Sequence, residues 1–150
     1  MRSLFGTDGI RGRAGDYPLD PGTVSRVGAA LAASLRDAGR DGLSVVVGCD
    51  TRVSSGPIVA ALAGGLLSSG TAVRFAGVVP TPAVAHLVKA LGADAGISIS
   101  ASHNPWPDNG IKVFSAEGRK LPDAGEAAIE RRIASAEAVP PAEVAEDPEL

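Results

Sequence analysis

Apolar positions along this chain alternate between two spacings. Val24, Val27, Leu31 and Leu35 recur at helical intervals. Asp20-Pro21 in front offers an N-cap followed by proline at the first helical position, and Gly39 supplies the stop, which predicts a helix from 21 to 38. LSVVVG at 43–48 is a short β-branched run between glycines, the pattern of a strand buried on both faces. Ile58, Leu62 and Leu66 form the next helical stripe, starting near Ser55 with Pro57 in its first turn. Gly64 and Gly65 inside that helix cost about 1 kcal/mol each relative to alanine, a cost that close packing against a neighbour would offset.

The alternation continues. TAVRFAGV (71–78) reads as a strand, and Thr81-Pro82 opens a helix whose Val84, Leu87, Val88 and Leu91 share a face. AGISIS (95–100) and IKVFS (111–115) read as strands, and Pro122 opens a last helix with Asp123 and Glu126 near its positive end. Residues 1–19, with Gly6, Gly9, Gly12 and Gly15, read as loop or irregular hairpin. From Ala138 the chain is rich in proline and acid, so residues 1–137 are expected to form the domain and 138–150 a linker or disordered tail. Strands separated by helices imply crossover connections. The expected fold is α/β: a three-layer α/β/α domain around a mainly parallel, mixed sheet.

Composition narrows the function. At 150 residues and 45% apolar, the chain suffices for one domain with a core. There is no run of about 18 apolar residues, so no membrane span is expected. The N-terminus lacks the apolar stretch of a secretory signal, which leaves the cytoplasm as the expected compartment. The single cysteine, Cys49 in VVVGC, reads as a buried thiol. A net charge of −3 argues against nucleic-acid binding, yet Arg2, Arg11 and Arg13 cluster near the N-terminus and Lys112, Arg119 and Lys120 cluster later. Small anions therefore remain possible ligands.

In open α/β sheets ligands gather beyond the carboxyl ends of strands, here the loops leaving Gly48, Val78 and Ser100. The third, ASHNPWPDNG (101–110), presents Ser102 in a proline-stiffened loop, with Asn109-Gly110 expected as the tight turn back into the next strand. Adjacency of Ser102 and His103 does not make a hydrolase dyad, because neighbouring side chains in an extended segment point apart. The other histidine, His86, falls in the third helix. Phosphate chemistry suits the neighbours better. Gly6, Gly9 and Gly12 would let backbone amides approach a phosphate while Arg11 and Lys112 balance its charge. By itself the GTDGIRG segment reads equally well as a plain glycine-rich hairpin, and it matches neither the P-loop nor the dinucleotide fingerprint.

Four motifs in order, FGTDGIRG (5–12), DTR (50–52), VPTPAVA (79–85) and ISASHNPWPDNGIK (99–112), resemble the α-D-phosphohexomutase family. The resemblance runs to about residue 135, and the form of the first and last motifs resembles the branch acting on glucosamine phosphates. It implies interconversion of glucosamine 6-phosphate and glucosamine 1-phosphate through a 1,6-bisphosphate, on the route to UDP-N-acetylglucosamine. Mannose or glucose phosphates as substrates, or a non-catalytic phosphosugar-binding domain, are the alternatives. On this reading Ser102 carries the phosphoryl group and Arg11 and Lys112 handle charge or a proton. His103 is a candidate acid/base, and Gly6, Thr7, Asp8 and Asn104 join Arg11 in holding phosphate. Mg²⁺ is implied, with the phosphate on Ser102 giving one ligand and a separate domain the rest. The family's other three domains, which carry a DGDxDR cluster, a sugar-selecting loop and a phosphate-binding arginine loop, are the expected partners, and this domain alone is expected to be inactive. Two departures, Cys49 where the family has a basic residue and Ser55 where it has glycine, weaken any role for the DTR turn.

Overall fold

The computed structural model describes residues 3–150. Asp20 accepts the Thr23 amide at 3.1 Å and Pro21 fills the first turn, so α1 (Pro21–Asp37) starts where the sequence pattern puts it. The remaining helices are α2 (Ser55–Ser68), α3 (Thr81–Leu91) and α4 (Asp123–Ile133). Gly92 ends α3 in the left-handed conformation at φ 63°. The strands are β1 (Ile10–Arg13), β2 (Ser44–Cys49), β3 (Ala72–Val78), β4 (Ala95–Ile99) and β5 (Asp108–Ser115).

They form one five-stranded sheet in the order β1-β5-β4-β2-β3. β2 pairs in parallel with β3 and β4, whereas β5 pairs antiparallel with β4 and β1. Only β5 therefore opposes the common strand direction, and the mixed, mainly parallel sheet is as expected. The crossover through α2 leads to β3 on one side of β2, and that through α3 leads to β4 on the other. Right-handed crossovers then require α2 and α3 on opposite faces. Val45, Val47, Ile97, Ile99 and Ile111 accordingly pack with α1, α2 and Ile129 of α4, while Val46 packs with Val84 and Val88 of α3.

The helical glycines mark close approaches. A Cβ on Gly28 would stand 2.6 Å from the Leu62 carbonyl oxygen, and one on Gly65 would collide with the Ser25 carbonyl, so α1 and α2 cross backbone to backbone. The Pro140 carbonyl lies against Gly64. Packing thus offsets the low helix propensity of Gly64 and Gly65 in α2.

Three expectations need correction. The N-terminal segment holds a strand, β1, because IRGR finds the free edge of β5, but four residues are too short to show a period. Asn109-Gly110 is not a turn but lies inside β5; the reversal occurs earlier, with Asp108 N–H bonded to the Pro105 carbonyl at 3.0 Å. Residues from 138 onward do not fray away. Ala142 N–H reaches the Ala60 carbonyl at 2.9 Å, Asp147 N–H reaches the Phe75 carbonyl at 2.8 Å, and Arg74 pairs with Asp147 at 2.8 Å. This segment covers β3, an edge strand whose main-chain groups would otherwise lack partners.

Candidate functional site

Ser102 stands in the connection between β4 and β5. Its φ is 53°, and it is the only non-glycine residue with positive φ among the described residues. A left-handed conformation costs a residue with a Cβ about 1–2 kcal/mol, and such strain persists only where the surroundings enforce it. Ala101 is fully buried while Ser102 and His103 are exposed, so the chain is anchored immediately before the serine and presents it outward. Ser102 N–H donates to Ser100 Oγ at 3.1 Å, and Asn104 N–H to the Ala101 carbonyl at 3.0 Å.

Two arginines enforce this shape. Arg11, from β1, donates through Nη1 to the Ala101 carbonyl and to Asn104 Oδ1, both at 3.1 Å. Arg52, after β2, donates to the carbonyls of Ser102 (3.1 Å), Asn104 (2.9 Å), Pro105 (2.6 Å) and Asp108 (3.1 Å). Its Nε is held by Asp50 Oδ2 at 2.9 Å. Asp50 Oδ1 accepts Ser55 Oγ at 2.7 Å and Arg52 N–H at 3.1 Å. Burial by itself raises the Asp50 pKa, but these hydrogen bonds and the Arg52 charge outweigh it and hold the carboxyl below its ordinary value. The DTR turn thus holds the serine loop through its hydrogen bonds, even with Ser55 where the family has glycine. Ser55 is part of it, since a glycine there could offer Asp50 no hydroxyl.

The sheet sorts the other candidates. Arg11 lies opposite Gly110, and Lys112 opposite Ser98. Strand alternation puts Arg11, Ser100, Lys112 and Ser98 on the α3 face. Gly110 leaves that face open beside Arg11, whose Cγ would be 3.2 Å from a Cβ there. Thr81, at the start of α3, shares a 2.9 Å hydrogen bond with Ser98. A cavity of about 270 Å³ opens here, lined by Thr7, Asp8, Gly9, Thr81, Lys112, Lys120 and Glu126 among others. Gly9, at φ 84°, folds the Gly6–Gly9 turn onto β5 so closely that a Cβ would strike the Ile111 carbonyl.

The structure therefore brings Ser102, Arg11 and Asn104 together, sets Lys112 on the same face, and puts Thr7 and Asp8 on the cavity rim. Gly6 lies at the start of the same turn and lines the adjoining cavity of about 530 Å³. His103 is exposed beside Ser102. Sequence reasoning missed Arg52 as an organiser, Asn109 as a buried strut and Glu126 as a buried acid. The available signal was an Asp-x-Arg at the carboxyl end of a buried strand. Burial raises the Glu126 pKa; Lys120 opposes the rise, and Asp123 and Glu130 add to it. Cys49 is buried as expected, and burial followed by the charges of Asp50 and Glu146 pushes its thiol pKa up. Among the described residues no group of three or more His, Cys, Asp or Glu could hold a metal ion, and no helix is long and apolar enough to cross a membrane.

The chain thus forms an α/β/α domain whose exposed serine loop lies on the sheet face that carries Arg11 and Lys112. Residues 2–139 match the phosphoglucomutase/phosphomannomutase α/β/α domain I, and the chain belongs to that family. A phosphoglucosamine mutase of Koribacter versatilis is 56% identical over 89% of this chain and 28% of its own length. One of Thermus thermophilus is 54% identical over 87% of this chain and 30% of its own. A solved phosphoglucomutase/phosphomannomutase family protein from Burkholderia thailandensis is 32% identical, with a TM-score of 0.77 over 96% of this chain and 33% of that one. The chain thus spans about 30% of the length of these curated relatives.

Proposed function

We propose that this chain is the phosphoserine domain of a phosphoglucosamine mutase, interconverting glucosamine 6-phosphate and glucosamine 1-phosphate. The observation that carries the reading is Ser102 itself, an exposed serine held left-handed by a loop whose carbonyls two arginines grip. Relatives above 50% identity named for this activity support the sugar assignment.

In this reading phosphorylated Ser102 donates its phosphoryl group to a sugar hydroxyl. The Oγ–P bond breaks as the new O–P bond forms, and Ser102 leaves as an alkoxide that takes up a proton. Reorientation of the bisphosphate lets Ser102 Oγ recover the other phosphoryl group. Arg11 and Lys112, cations on one sheet face, balance the phosphate charge. Asn104 keeps Arg11 in place, His103 is the candidate proton carrier, and backbone groups of Gly6, Thr7 and Asp8 border the phosphosugar. Mg²⁺ would gain at most a phosphate oxygen on Ser102 from this chain. Asp50 is committed to Arg52 and Ser55, and Asp108 faces Asn104 at 3.4 Å, so they form no magnesium cluster. The remaining ligands would come from other domains, without which this domain is expected to be inactive.

Intact-mass analysis of protein purified from cells tests the assignment. A phosphorylated fraction should be present and should vanish in Ser102→Ala; its persistence at the same level in that variant would overturn it.

A further inference from the structure

We propose that Arg52 is the positioning residue that sets the geometry of the Ser102 nucleophile; the inference rests on the phosphoserine reading above. Guanidinium carries five N–H donors in a planar fork, and here all five have acceptors. Nε meets Asp50 Oδ2, Nη1 the carbonyls of Pro105 and Asp108, and Nη2 the carbonyls of Ser102 and Asn104. These acceptors span the loop from the serine to the start of β5. Fixing the Ser102 carbonyl restricts the peptide plane next to its unfavourable φ. The Arg52 side chain is only 13% exposed, so the clamp works in partly desolvated surroundings where each bond counts for more.

The clamp is itself anchored. Asp50 N–H bonds the Ile99 carbonyl at 3.0 Å at the end of β4, and Asp50 Oδ1 is tied to the N-terminus of α2 through Ser55. Asn109 Nδ2 bonds Ser54 Oγ at 2.9 Å from the opposite strand. Every part that aims Ser102 therefore refers to the rigid ends of β2, β4, β5 and α2. Lysine cannot substitute, since its three donors cannot reach acceptors arranged around a fork.

The test uses the full-length enzyme carrying this domain. Arg52→Lys should lower kcat about 10- to 100-fold, the scale set by small misplacements of a reacting group. KM should stay within about twofold, as for a group that does not bind substrate directly. The melting temperature should fall as the loop carbonyls and Asp50 lose their donors, so activity is expressed per folded molecule, and added guanidinium ion should partly restore Arg52→Ala. Unchanged kcat in Arg52→Lys overturns the proposal. So does a fall in kcat that disappears once activity is expressed per folded molecule. Wild-type activity and Ser102 phosphorylation are measured first, and absence of both sinks the mutase reading instead. In that event amide exchange over residues 101–108 decides: faster exchange in Arg52→Lys upholds the clamp, and identical exchange overturns it.

Discussion

Asn109 on β5 and Ser55 at the start of α2, 54 positions apart in the chain, share a 3.1 Å hydrogen bond. Asn109 has no exposed surface, and its Oδ1 also accepts the Gly110 amide at 2.8 Å. Asn109→Leu would take the donor away from the Ser54 and Ser55 hydroxyls and the side-chain acceptor away from the buried Gly110 amide, and is expected to destabilise by about 1–3 kcal/mol. The measurement is a urea titration, in which the midpoint should fall with the slope unchanged.

Two glycines of α2 should respond oppositely to alanine. A Cβ added at Gly56 would meet nothing within 4 Å, so Gly56→Ala is expected to stabilise by about 0.4–1 kcal/mol. At Gly65 the Ser25 carbonyl occupies the space, and Gly65→Ala should cost about 1–3 kcal/mol by forcing α1 and α2 apart. Thermal melts of the pair separate packing from helix propensity.

The Asp50 carboxyl lies below its ordinary value when folded, so its stabilisation is fully present above the unfolded carboxylate pKa, about 3.9. It is lost as pH falls through the lower, folded pKa. The sole tryptophan, Trp106, projects 82% exposed from the clamped loop and reports its order. Its fluorescence anisotropy should hold steady from pH 7 to about pH 4 and drop below that. Asp50→Asn should show reduced anisotropy already at neutral pH.

Glu126 has the opposite sign. Its raised pKa means the folded state holds the proton more tightly, so stability declines as pH rises above the unfolded carboxylate range. Glu126→Gln should flatten that decline and raise the melting temperature at pH 7 relative to wild type. An unchanged pH profile would show that Lys120 already compensates the buried charge.

Arg74 ties Asp147, and with it the segment after Val139, to the edge of β3. Arg74→Ala should speed amide exchange at Ala142 and Asp147 while leaving exchange in β2 and β4 unaltered.

What the sequence by itself determined was set by local chemistry. Asp20-Pro21, the stripe from Val24 to Leu35 and the β-branched run at Val45–Val47 carry their own signals, so four helices, four strands and the α/β class were legible. Ser102 and Arg11 could be singled out as candidates too, because an unusual loop after an apolar strand and a glycine-rich arginine segment are visible without contacts. What only the tertiary structure decided was the pairing of distant backbone. β1 exists because β5 offers an edge, and the segment after Val139 is ordered because β3 offers another. Asn109 changes from turn residue to buried strut because the loop reverses at Pro105–Asp108. Arg52 binds four carbonyl oxygens contributed by residues 50 or more positions away, and main-chain acceptors leave no trace in residue identity.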